Sequence, residues 1–214
     1  MKPYERSLAF IGIYALLLGA ILGIIAVILL WNLPSMQQTE LWAEEVSDPT
    51  YTISYYILMY AYLIPIIGFC AIHKLFSEEK ISHILSFLGM IFSIIGSALP
   101  MASIGVSAFA YPAIARMIIS RDLDLAILLN DILASKNMIF LLFSGFYYIT
   151  GIILFGIVFW RDSNPLLKTA SIFLILHGIL IILPNLSIIN LLSWIFLLLS
   201  SIMLIVYTQQ ISTS

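Results

Sequence analysis

The sequence predicts an all-α, polytopic transmembrane bundle with six spans and both termini in the cytoplasm. Of the 214 residues, 62% are hydrophobic and 9% are charged, whereas a soluble domain carries about 25% charged residues. The apolar residues form continuous runs near the ~20 residues that a helix needs to cross the hydrocarbon core, and such runs do not alternate as half-buried strands do. The predicted spans of this single integral membrane domain cover about residues 8–31, 51–72, 84–111, 138–160, 166–183 and 188–207.

The first apolar run is predicted to remain as a span rather than to be cleaved as a signal peptide. Residues 8–31 form a run of 24 residues, and the apolar part of a signal peptide is usually about 7–15 residues long. Trp31 ends this run and Trp160 ends the fourth. Tryptophan is enriched at membrane interfaces, so both positions are predicted interface anchors.

Lysine and arginine are distributed unevenly between the two sides of the predicted bundle. Six lie in the N-terminal tail and the 2–3 and 4–5 loops, and three lie on the opposite side, where the 1–2 loop has four carboxylates and no basic residue. Because cytoplasmic loops are enriched in Lys and Arg, both termini are predicted to be cytoplasmic. Isoleucine is heavily used, as is typical of proteins from AT-rich prokaryotic genomes, so a prokaryotic cell membrane is predicted. The six are Lys2, Arg6, Lys74, Lys80, Arg161 and Lys168, the three are Arg116, Arg121 and Lys136, and the carboxylates are Glu40, Glu44, Glu45 and Asp48.

The third span is unusual because residues 84–115 contain no charge. A straight helix of this length would extend about 48 Å, well beyond the hydrocarbon thickness. Pro100 predicts a kink in a helix that continues past the outer surface, and a re-entrant turn near Pro100 is the alternative. Residues 120–136 have apolar side chains on one side and Asp124 and Asp131 on the other. They predict an amphipathic segment that either lies on the outer interface or caps the bundle.

His177 is the ionisable residue nearest the middle of a predicted span. A polar residue at that depth usually faces the bundle interior. It predicts either a group that handles protons or ligand, or a neutral imidazole hydrogen-bonded across helices to a Tyr or Ser, and the second interpretation is favoured. Tyr60, Tyr147 and Tyr148 also lie deep in their spans. They are predicted either to line a polar cavity with His177 or to satisfy one another.

Arg116 closes the third span at its outer edge. It is predicted to pair with an outer carboxylate, to reach lipid phosphate, or to bind an anionic headgroup. Glu40 and Glu44 are four residues apart and would share a helix face. Their carboxylates could bind a hard cation, but the acidic loop lacks a calcium-loop pattern, so solvated charge is favoured. His73 and His83 flank the 2–3 loop and are predicted interface residues. No metal site and no cofactor are predicted.

The order of the spans and the residues at their ends resemble those of a bacterial membrane family, the domain-of-unknown-function 4386 family. Residues 6–12 (RSLAFIG) open the first span, and the second runs into residues 71–74 (AIHK). The fourth span exits at Arg161, and a short loop with Pro165 leads into the fifth. The resemblance covers most of the chain. It implies a six-span membrane fold and assigns no site residues.

Three functions are consistent with these features. The leading hypothesis is a non-enzymatic bundle in the lipid bilayer that binds a lipid or small hydrophobic ligand, or serves as an accessory subunit, because phosphate-loop, zinc-protease and nucleophile-elbow motifs are absent. One alternative is a membrane-embedded enzyme that uses His177 with Tyr147 or Tyr148 as acid–base groups. Another is a secondary transporter with helices broken near Pro65 or Pro100. The net charge of -2 argues against a nucleic-acid partner.

Overall fold

The computed structural model describes residues 3–31, 40–76, 79–183 and 187–213. In this part of the chain all regular structure is helical, which confirms the predicted all-α class. The helices are α1 (Pro3–Leu29), α2 (Glu40–Ser47), α3 (Pro49–Leu63), α4 (Pro65–Leu75), α5 (Lys80–Ala98), α6 (Pro100–Gly105), α7 (Tyr111–Ile119), α8 (Leu123–Arg161), α9 (Pro165–Leu180) and α10 (Ser187–Thr213), with a π-helical turn at Val106–Ala110 between α6 and α7.

Five helical segments of the described chain are long and apolar enough to cross a membrane. Helix α9 is also apolar, but its 16 residues extend about 24 Å, less than the ~30 Å of a typical hydrocarbon core. The chain is therefore a multi-pass membrane protein, with five of the six predicted spans meeting the length of a full crossing. The five segments are Ser7–Leu29, Pro49–Leu75, Lys80–Ile119, Ile139–Arg161 and Ser187–Gln210.

Close helix contacts place the start of α1 and the end of α10 at the same end of the bundle as the end of α4. A Cβ atom added to Gly12, near the start of α1, would lie 2.1 Å from the Cβ of Ala71, near the end of α4. The Tyr207 hydroxyl, near the end of α10, donates to the Asp162 carboxylate after α8. The opposite end of the bundle is called the distal end below.

Two prolines in the third span remove backbone donors, and neighbouring helices supply replacements. Pro100 has no N–H for the Gly96 carbonyl, and the Ser144 hydroxyl donates to that carbonyl at 2.8 Å. Pro112 likewise leaves the Ala108 carbonyl, to which the Thr52 hydroxyl donates at a longer 3.5 Å. Such substitutes let proline persist in membrane helices. The helical run therefore continues from Lys80 to Ile119, without the alternative re-entrant turn.

The structure differs from the prediction after the third span. From Leu123 onward, the residues expected to form an outer amphipathic segment continue directly into the fourth span in α8, a single helix of 39 residues and about 58 Å. Arg121, with a φ of 67°, forms the tight turn from α7 into α8. The α5–α8 hairpin thus extends beyond one membrane thickness at the distal end. Five consecutive side chains in the middle of α8 are exposed: Ile139, Phe140, Leu141, Leu142 and Phe143.

The hairpin extension helps to form a second core. The main core lies between the spans and includes Phe69, Phe155 and Trp194. The second is named the distal cluster, and in it α2 and the start of α3 pack against α7 and the start of α8. Its buried residues are Trp42, Ala43, Val46, Tyr51, Tyr111, Ile114, Ala115, Ile118 and Ala126.

Candidate functional site

His177 lies in a fully buried polar node between α8, α9 and α10. Its Nε2 atom is 2.9 Å from the Tyr148 hydroxyl. Its Nδ1 atom is 2.9 Å from the Ser193 carbonyl oxygen and 2.8 Å from the Ser193 hydroxyl. Because a carbonyl oxygen only accepts, this contact assigns the imidazole hydrogen to Nδ1, and Tyr148 then donates to Nε2.

Buried aromatic rings pack around this node. The Trp194 ring centre lies 5.4 Å from that of His177, and Phe69 packs edge-on against Tyr148 at 6.1 Å. Gly178, next to His177, allows close approach of α8, because a Cβ atom there would lie 2.9 Å from the Ile152 side chain. The node is therefore closely packed against apolar groups on several sides.

These contacts engage both ring nitrogens of a neutral imidazole. The favoured prediction, an imidazole hydrogen-bonded across helices to a Tyr or Ser, is what the structure shows. An acid–base catalyst needs a nitrogen within hydrogen-bond reach of a substrate proton. In this arrangement, a substrate would have to displace Tyr148 or Ser193 from the ring.

The other two predicted tyrosines are not brought to His177. Tyr60 is 57% exposed on α3, and Tyr147 stacks on Phe92 with ring centres 5.8 Å apart. Neighbouring residues of a helix point about 100° apart, so Tyr147 and Tyr148 face different sides of α8. Only Tyr148 shares the node.

Arg116 is also apart from the node. It is exposed on α7, where its Nε atom donates to the Pro112 carbonyl of its own helix at 3.2 Å. Of the five predicted site residues, Tyr148 and His177 are therefore in contact, and the other three lie apart from them.

A second candidate site is a pocket at the distal end, named the distal pocket. It has a volume of about 410 Å³ and lies between the end of α1, helix α2 and the start of α3. Two leucines and Tyr51 provide apolar surface, while three carboxylates supply negative charge. The lining residues are Leu29, Leu30, Glu44, Glu45, Asp48, Thr50 and Tyr51.

Asp48 is held in place at this pocket by its role as the N-cap of α3. Its carboxylate accepts a hydrogen bond from the Thr50 backbone N–H at 2.6 Å. Hydrogen bonds from Thr50 lower the pKa of Asp48 below its usual range, because they stabilise the ionised form. The carboxylate is therefore charged at neutral pH.

Sequence reasoning missed the two neutral polar residues that complete these sites. Ser193 has no distinguishing pattern, since serine is common in packed membrane helices. Thr50 did have a signal: Asp48-Pro49-Thr50 is the order expected at a helix start, with an acidic N-cap followed by proline at the first helical position. That signal would have predicted that a helix begins at the end of the acidic loop.

No family model, curated protein or solved structure matches this chain. The resemblance to the domain-of-unknown-function 4386 family therefore stays a prediction.

Proposed function

We propose that this protein is a non-catalytic, six-span protein of a prokaryotic plasma membrane that binds a small organic cation in the distal pocket, on the outer face. The observation that carries the proposal is the composition of that pocket. Glu44, Glu45 and Asp48 offer charge to a cationic group, and Leu29 and Leu30 offer an apolar wall. Ligand sites commonly combine apolar lining with a few placed polar groups.

The proposed orientation is supported by which loops share an end. Arg161 after the fourth span donates to Glu79 before the third, so the 2–3 and 4–5 loops lie together. These loops carry four of the basic residues that favour the cytoplasmic side. The distal pocket then faces outward. We count helix α9 as the fifth of the six spans, because it runs antiparallel to α8, with Ile175 facing Gly156 and Ile182 facing Gly145.

Choline and its neutral isostere 3,3-dimethylbutanol are suitable probes, since they differ mainly in charge. Titration calorimetry on the full chain in lipid nanodiscs is expected to show saturable binding of choline. The neutral isostere is expected to bind at least about tenfold more weakly, a difference of about 1.4 kcal/mol.

Matched variants locate the site. Glu44→Gln and Glu45→Gln remove pocket charge with little change of shape and are expected to weaken choline binding at least about tenfold. Glu40→Gln removes an exposed carboxylate of the same helix that does not line the pocket, and it is expected to bind as the wild type does. No saturable binding, or equal losses in all three variants, would refute the proposal.

The Tyr148–His177 hydrogen bond favours a second candidate, an acid–base membrane enzyme. Tyr148→Phe distinguishes the two functions because it keeps the ring and removes the hydroxyl. A binding protein of the proposed kind keeps its affinity for choline in this variant, whereas an enzyme that depends on the pair would lose turnover while still binding substrate.

A further inference from the structure

We infer that the end of α4 and the start of α5 hold a transition-metal ion between His73 and His83. This site lies at the opposite end of the bundle from the distal pocket and is independent of the proposed function. It would join the end of the second span to the start of the third.

The two imidazoles have a separation that suits a shared metal. Their ring centres lie 5.0 Å apart with an angle of 41° between the planes. Two imidazoles bound to one tetrahedral zinc ion, each at a Zn–N distance of about 2.1 Å, have ring centres roughly 5 Å apart. Little rearrangement of the two helices is therefore needed to bring both rings to one ion.

A buried serine orients the first ring. The Ser86 hydroxyl donates to the His83 carbonyl at 3.1 Å and lies 2.9 Å from His73 Nδ1. Because its hydrogen is already donated, the Ser86 oxygen accepts from Nδ1–H. The lone pair of His73 is then on Nε2. Metal-binding histidines characteristically donate their other ring N–H in this way.

The surrounding charges indicate which metals the site would take. Lys74 and Lys80 flank the two histidines, and the nearby Glu79 carboxylate is engaged by Ser82 and Arg161. Neutral nitrogen ligands in such surroundings favour zinc, copper or nickel over calcium or magnesium, which prefer oxygen. His83 is exposed, so the ion would be reached from water and would complete its coordination with water.

Zinc titration of the full chain in detergent tests this inference, using protein purified without a histidine tag. One equivalent of Zn²⁺ is expected to bind at neutral pH. His73→Ala and His83→Ala are each expected to weaken binding at least tenfold, and Ser86→Ala by about 10- to 100-fold. Lys80→Ala removes a neighbouring exposed charge and serves as the control, with affinity equal to or tighter than wild type.

Electron paramagnetic resonance of bound Cu²⁺ keeps the test decisive if His73→Ala does not fold. The wild type is expected to show hyperfine coupling to two imidazole nitrogens, and His83→Ala to only one. Absence of saturable zinc binding, unchanged affinity in His83→Ala, or coupling to a single nitrogen in the wild type would overturn the inference.

Discussion

His177 connects three helices through one side chain. Its two nitrogens contact Tyr148 of α8 and Ser193 of α10, and the Ser193 hydroxyl also lies 3.1 Å from the His177 carbonyl oxygen. Away from water, a polar group without a partner is costly. The node therefore favours one register of α9 against its two neighbours over registers that would leave the ring unpaired.

The Tyr148→Phe variant tests this role of the His177 hydrogen bonds. It leaves His177 Nε2 without its donor, so the free energy of unfolding is expected to fall by about 1 kcal/mol, as for other hydrogen bonds between membrane helices. Unfolding of detergent-solubilised protein by sodium dodecyl sulfate would measure the change. Tyr147→Phe, at the adjacent half-buried position, is the control, and an equal loss in both variants would contradict the assignment.

The depth of His177 in an apolar run was enough to predict burial and a partner on another helix. The choice among tyrosines was not predictable, because Tyr147 and Tyr148 are adjacent in sequence and only the rotation of α8 decides which faces inward. Ser193 could not be distinguished from Ser200 and Ser201, which are also buried on α10.

Pro100 and the Ser144 hydroxyl are coupled across the interface between the third span and α8. The Gly96 carbonyl accepts from Ser144 because Pro100 cannot donate to it. The helices approach closely here, since a Cβ atom on Gly96 would lie 2.4 Å from the Tyr148 backbone nitrogen. One residue thus compensates for the missing donor of another.

A double-mutant cycle of Ser144→Ala and Pro100→Ala tests this coupling. Ser144→Ala alone is expected to destabilise the protein by about 1 kcal/mol. In the Pro100→Ala background the loss should be smaller, because the new Ala N–H can donate to the Gly96 carbonyl. Thr150→Ala, which removes a hydroxyl bonded to its own helix, should be additive with Pro100→Ala. Additivity of the Ser144 and Pro100 changes would argue against the coupling.

Apolar runs located the helices well, but charge placed one boundary incorrectly. Asp124 and Asp131 indicated an amphipathic segment distinct from the fourth span. The chain from Leu123 to Ser144 contains no glycine or proline, and its leucine, alanine and isoleucine support a continuous helix. Charge limits how deep a helix can sit in lipid, whereas backbone-breaking residues limit how far it continues.

An ion pair between Glu79 and Arg161 links the start of the third span to the end of the fourth, at the end of the bundle opposite the distal pocket. Hydrogen bonds from Ser82 and Arg161 lower the pKa of Glu79 below its usual range. A carboxylate with a depressed pKa in the folded state contributes stability above its unfolded pKa, and the contribution is lost as pH falls through the folded value.

The wild type should therefore be more stable than Glu79→Gln at neutral pH. The two stabilities should converge as pH falls below about 4, near the ordinary pKa of glutamate. Thermal unfolding across this range would measure the difference, which should also shrink at high salt. Asp131→Asn, an exposed carboxylate change on α8, is the control. A gap between wild type and Glu79→Gln that persists at low pH would contradict the role of the ion pair.

The uneven distribution of basic residues predicted that the 2–3 and 4–5 loops lie together, and the Glu79–Arg161 contact agrees with it. The distal cluster was not predictable. Trp42 and Ala126 are distant in sequence, and their contact depends on the joined length of α8.

The length of α8 gives it the mechanics of a lever. A rigid rod of about 58 Å that tilts by one degree moves its far end by about 1 Å. One end packs into the distal cluster through Ala126, and the other carries Arg161 beside Glu79. Between them, residues 139–143 have exposed side chains. Elsewhere along its length α8 packs closely against α5 at Gly96 and against α9 at Gly178, so a displacement at either end of α8 has to carry these neighbouring helices with it.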